Sequence, residues 1–128
     1  MAIKKIILDA SILIEAARSK ADIFSQIREA FPKAEMITSN SVMVEVGKIS
    51  KGKGKASLAA RVALRLTEKN RIKAIKTESR GDDSLIELCD SESVLITQDK
   101  ELRERCAKKG FLSGYLREQR YLIFGAQR

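Results

Sequence analysis

The chain has 128 residues, 44% hydrophobic and 33% charged, which excludes a disordered polymer and is long enough to bury a real core as one domain. A net charge of +8 favours polyanionic partners, and the absence of histidine removes histidine general bases and histidine-based zinc sites. With two Tyr, four Phe and no Trp, no aromatic cluster is available for stacking bases, so contact with nucleic acid is expected to be backbone-directed.

Residues 3–8 form a compact apolar run of strand character that ends at Asp9. The N-terminus has no small-residue cleavage site, and no apolar stretch nears the roughly 20 residues of a membrane span. A cytoplasmic protein without membrane contact is the default expectation. Ser11–Ala17 and Ala21–Ala30 read as helices, the second stopped by Pro32, the only proline. Glu35–Thr38 reads as a short strand.

Ser39-Asn40-Ser41 is a cap cluster for a helix running to about Ile49. At about 100° per residue Val42, Val46 and Ile49 share a face, and Glu45 lies about 60° from its centre, at the margin of the buried stripe. The segment Lys51-Gly52-Lys53-Gly54-Lys55 breaks the pattern, and Ala56–Glu68 resumes it with Leu58, Val62, Ala63 and Leu66 inward. Gly47–Gly54 approaches a phosphate-binding loop, but Gly54 stands where Ser or Thr is required and a helix precedes it instead of a strand. That reading is rejected.

Ile72–Thr77 alternates like a half-exposed strand, and a turn at Ser79-Arg80-Gly81 leads into a helix starting at Asp82 or Asp83. Val94–Thr97 is a continuous apolar run, as in a parallel strand buried on both faces. A helix follows from Asp99 to Lys109, stopped by Gly110. Phe111–Leu116 and Tyr121–Phe124 are short edge strands, the latter placed either to close the sheet or to pair with another subunit in a homo-oligomer. Cys89 and Cys106 read as buried reduced thiols, although spacing leaves one disulfide open.

Alternating strands and helices predict a three-layer α/β/α sandwich around a mainly parallel sheet. Ligands in such sheets bind beyond the carboxyl ends of the strands. Asp9 and Asp99 follow strands and Asp82/Asp83 opens a helix after a strand-to-helix loop, so three acids share one sheet edge, with Glu45 as the fourth. Oxygen ligands alone suit a hard cation, Mg²⁺ or Mn²⁺, able to activate water against a phosphodiester. Ser11 and Thr97 would orient a carboxylate or water. Taken singly, an acid before a helix is also a good N-cap, and spacing does not separate Asp82 from Asp83. From Val46 to Thr67 the chain carries Lys48, Lys51, Lys53, Lys55, Arg61 and Arg65 and no acid, which reads as a phosphate-backbone track for RNA or as a solvated lysine loop.

These blocks resemble the PIN-domain nucleases over nearly the whole chain: Ile6-Ile7-Leu8-Asp9-Ala10-Ser11, the Glu45 helix, Gly81-Asp82-Asp83-Ser84-Leu85-Ile86-Glu87, and Leu95-Ile96-Thr97-Gln98-Asp99-Lys100-Glu101-Leu102. The last block and the Gly/Lys insertion look most like the archaeal branch related to pre-rRNA-processing PIN proteins, and less like VapC-type toxins. The resemblance implies Mg²⁺- or Mn²⁺-dependent endonucleolytic cleavage of single-stranded RNA, leaving a 5′-phosphate. It carries the catalytic and metal role onto Asp9, Glu45, Asp82 or Asp83, and Asp99, with Ser11 and Thr97 in support. A toxin would need a small antitoxin partner, and a weakly catalytic relative would serve as an RNA-binding or ribosome-assembly subunit. Ala10-Ser11 and Gln98 depart from the family's usual residues without removing a carboxylate.

Overall fold

A computed structural model describes residues 2–19 and 21–125. Six strands and six helices follow in the order β1 (Lys5–Leu8), α1 (Ala10–Arg18), α2 (Ile23–Ala30), β2 (Glu35–Ser39), α3 (Asn40–Ser50), α4 (Lys55–Lys69), β3 (Lys73–Ile75), α5 (Gly81–Leu88), β4 (Ser93–Ile96), α6 (Lys100–Lys108), β5 (Leu112–Arg117) and β6 (Tyr121–Gly125). They form one sheet of order β3-β2-β1-β4-β5-β6, parallel except for β6, which runs antiparallel to β5. Successive strand residues point to opposite faces, and every residue of β4 and Ile6, Ile7 and Leu8 of β1 is buried. Both faces of the central sheet are therefore covered, as the predicted α/β/α layering requires. Burying each large aliphatic chain of these strands contributes roughly 1.5–3 kcal/mol.

The chain leaves β1 toward β2 on one side, and β4 lies on the other. The crevice beyond the carboxyl ends of β1 and β4 is thus a topological switch point. The register runs Lys5↔Ser93 through Leu8↔Ile96, so Asp9 and Thr97 are the next opposed positions, and Asp9 N donates to Ile96 O at 3.2 Å.

Three expectations change. The α4 helix turns Leu58 outward (57% exposed) and packs a small-residue face of Ser57, Ala59, Ala60, Ala63 and Thr67. Short side chains let its backbone approach α1 and α3 closely, so bulk does not mark the inner face. On α3, Val42 and Val46 are buried as expected, while Ile49 is 36% exposed and lines a cleft. Glu45 stands open to water on the same helix and is not a margin of the core. Cys89 and Cys106 are buried free thiols. No described helix is long and apolar enough to cross a membrane.

Candidate active site

Each acid is placed by a local device. Asp9 ends β1 and N-caps α1, where its Oδ1 accepts from Ala10 N at 2.7 Å. Its Oδ2 accepts from Ser11 Oγ at 2.9 Å and from the fully buried Thr97 Oγ1 at 2.6 Å. The two hydroxyls lie 3.2 Å apart, and Gln98 N donates to Ser11 Oγ while Asp99 N donates to Thr97 Oγ1. One hydroxyl pair thus couples the ends of β1 and β4. Asp99 N-caps α6, its Oδ1 accepting from Glu101 N and Leu102 N.

A serine latch joins the two helices that carry the other acids. Ser39 Oγ accepts from Val42 N at the start of α3 and from Ser84 Oγ of α5 at 2.8 Å, and Gly81 N donates to Ser41 Oγ. This brings Glu45 of α3 and Asp82 of α5 to the switch point. Asp9, Glu45, Asp82 and Asp99 all line one open cleft of about 680 Å³, with Ser11, Gln98 and Arg18 also on its wall.

Asp83 does not line that cleft. Its Oδ1 pairs with Arg105 Nη2 of α6 at 2.6 Å, on an exposed flank. Adjacent helical residues differ by about 100° in direction, so only one of this acid pair faces the crevice, and it is Asp82. The predicted phosphate track is similarly divided. Lys48 is exposed beside Glu45, Lys51, Lys53 and Lys55 are exposed along the α3–α4 connection, and Arg61 turns back so that Nη1 donates to Ser50 O at 2.8 Å. That bond satisfies a carbonyl at the end of α3, a structural use of the side chain.

Gln98, one of the two departures noted in the sequence, bridges to β5: its Nε2 donates to Leu116 O at 3.0 Å and Leu116 N donates to its Oε1 at 2.7 Å. The amide extends the β4–β5 ladder past the last backbone pair. Neither this role nor Arg18 on the wall had a sequence signal, because both depend on which loops converge there.

Electrostatically the cleft gathers negative charge. Partial desolvation against the cleft wall raises the Glu45 carboxyl above the usual carboxylate range, and the charges of Asp9 and Asp82 add to the shift. Partial desolvation likewise raises Asp82, followed by repulsion from Asp9 and Asp99, with Arg105 partly opposing. Glu15 and Glu118 also line the cleft, and among the described residues none of its six acids enters an ion pair. As the side chains stand, no three acidic, His or Cys groups among the described residues converge closely enough to form an all-protein metal cage. Mg²⁺ does not require one, since it keeps several waters and binds through one or two carboxylates. An all-oxygen donor set of mutually repelling carboxylates in an open cleft therefore fits a hard, hydrated cation.

The model of a PIN like domain family matches residues 6–119. The chain belongs to this PIN-like family. Among PIN-like relatives, Ribonuclease VapC9 of Archaeoglobus fulgidus is 37% identical over 116 residues, covering 89% of this chain and 84% of that protein. The PIN domain endonuclease Utp24 shares the fold with a TM-score of 0.77 at 21% identity, over 96% of this chain and 92% of its own. A domain of a functionally unknown protein from Methanocaldococcus jannaschii aligns with a TM-score of 0.57 at 18% identity, over 98% and 94%. At these identities the two structures speak for the PIN-like fold alone.

Proposed function

We propose that this protein is a divalent-metal-dependent endoribonuclease that hydrolyses phosphodiester bonds in single-stranded RNA, with RNA maturation, including rRNA processing, as its setting. The observation that carries the reading is the convergence of Asp9, Glu45, Asp82 and Asp99 on one cleft at the switch point. The relative named Ribonuclease VapC9 supports the choice of RNA.

Asp9, Glu45, Asp82 and Asp99 would hold Mg²⁺ or Mn²⁺, directly or through water, with Asp82 in the place that spacing left open between Asp82 and Asp83. When bound, the ion supplies Lewis-acid activation of water and neutralises charge on the phosphodiester. The chain's own residues do the positioning. Ser11 and Thr97 lock Asp9 in one rotamer by donating to the same oxygen. Thr97 also fixes the backbone that presents Asp99. The Ser39–Ser84 bond holds the helix bearing Glu45 against the helix bearing Asp82.

The test is cleavage of a single-stranded RNA with Mn²⁺, Mg²⁺ or EDTA. Wild type is expected to cut only with metal, and Asp9→Asn to lose cleavage while still binding RNA. Cutting in EDTA, or full activity of Asp9→Asn, would sink the mechanism. A second reading, a VapC-type toxin held by a small antitoxin, is favoured by the 37% identity to Ribonuclease VapC9. Growth arrest on expression of wild type but not Asp9→Asn separates it from a processing role. A weakly catalytic assembly subunit would be expected to have lost one of the four acids.

A further inference from the structure

A second groove opens directly from the acidic cleft. It runs for about 880 Å³ between α3 and the loop that joins β3 to α5, and it shares Glu45 and Ile49 with the cleft. Its wall carries Lys48 from the last turn of α3, Lys76 just beyond β3, and Arg80 at the N-cap of α5. All three are exposed, and among the described residues none of them is ion-paired. Glu45 and Glu78 are the acids on this wall, and Glu45 belongs to the cleft itself. The exposed apolar side chains on this wall are Val44 at 56% and Ile49 at 36%, which flank Lys48 and Glu45 around α3.

Cations along the rim suit phosphates. A further groove that shares Arg18, Glu118 and Gln119 with the cleft is less suited, since it carries the acids Asp22 and Glu118 as well as the cations Arg18 and Arg120. Lys51, Lys53 and Lys55 line neither the cleft nor the groove.

Resting on the ribonuclease reading above, we propose that the α3/β3–α5 groove seats the segment of single-stranded RNA on one side of the scissile phosphate. Lys48, Lys76 and Arg80 hold its backbone. Lys76 and Arg80 lie outside the basic run from Val46 to Thr67, so they become neighbours of Lys48 only through the fold.

The test is fluorescence anisotropy with a labelled oligouridylate of about 12 nucleotides, within the site sizes of single-strand binders, in EDTA and over a series of salt concentrations. A Lys48→Ala/Lys76→Ala/Arg80→Ala variant is expected to bind about tenfold or more weakly, and its log–log salt slope to shrink by about 2, three backbone contacts on a single strand. A Lys51→Ala/Lys53→Ala/Lys55→Ala variant is expected to stay near wild type. Circular dichroism confirms that both variants are folded, and photocrosslinking from 4-thiouridine is expected to label residues 40–49 and 76–81. An unchanged groove variant, a larger loss from the loop variant, or crosslinks concentrated at residues 51–55 would overturn the proposal. Cleavage by wild type is scored separately. If wild type fails to cut with metal but groove variants lose binding, the nuclease reading fails and the groove stands; if wild type cuts while groove variants bind normally, only the groove fails.

Discussion

Thr97 donates its hydroxyl to Asp9 Oδ2 at 2.6 Å and, through the same oxygen, accepts from Asp99 N at 3.1 Å. One buried side chain on β4 thus sets the rotamer of one acid and the backbone of another. Partners of this kind around a metal-binding carboxylate typically change affinity or activity by about 10–100-fold when lost. Thr97→Val keeps the shape but removes both bonds. It is expected to lower metal-supported cleavage within that range and to weaken Mn²⁺ binding measured by calorimetry. Ser11→Ala, which leaves Thr97 in place, is expected to cost less.

The two adjacent acids of α5 are expected to separate cleanly. Asp82 lines the cleft, whereas Asp83 pairs with Arg105 where the two side chains are 68% and 42% exposed. An exposed pair of this sort contributes at most about 1 kcal/mol. Asp83→Asn should therefore leave cleavage near wild type and stability within that margin. Asp82→Asn should reduce cleavage to near background. Equal activity in the two variants would show that the cleft geometry does not select Asp82.

The contrast between these acids marks where the sequence was readable. The strands β1 and β4 announced themselves because both faces are buried, leaving uninterrupted apolar runs next to Asp9 and Asp99. The sheet-edge logic then followed without side-chain detail. Choosing Asp82 over Asp83 needs the rotation of α5, which is set by Ser84 bonding to Ser39 at the end of β2. The inner face of α4 is illegible for a different reason. Residue bulk points to Leu58 as core, yet close helix packing puts Ala60 and Ala63 inside and leaves Leu58 in water. Arg61 counted as a free cation by charge alone, and only the fold shows it capping α3.

Gly114 links the fold to the site. A Cβ there would stand 2.7 Å from Ile123 O, a backbone atom of β6, and 2.8 Å from the Phe124 ring. Its own carbonyl accepts from Thr97 N at 3.0 Å. Gly114→Ala is expected to destabilise the protein by about 1–3 kcal/mol, the range for forced overpacking, as measured by urea unfolding. Because the strain falls on the partner of Thr97, metal-supported cleavage should fall with it.

The last expectation concerns pH. Glu45 and Asp82 have folded-state carboxyls raised by partial desolvation and by their acidic neighbours, so each holds its proton more tightly folded than unfolded. Between the ordinary carboxylate range and the raised values the folded state binds more protons, and stability without metal falls as pH rises through that window. Neutralising either group removes this penalty. Glu45→Gln and Asp82→Asn should therefore raise the melting temperature at neutral pH in EDTA while impairing cleavage, a trade between stability and function. Metal binding has the opposite dependence, because carboxylates must be ionised to ligate. Stabilisation of wild type by Mg²⁺ should be largest near neutrality and fade as pH drops through the same window. Thermal melts with and without Mg²⁺ across pH test both signs together. A wild-type protein more stable than Asp82→Asn in EDTA at neutral pH would mean that the cleft acids are not in mutual repulsion.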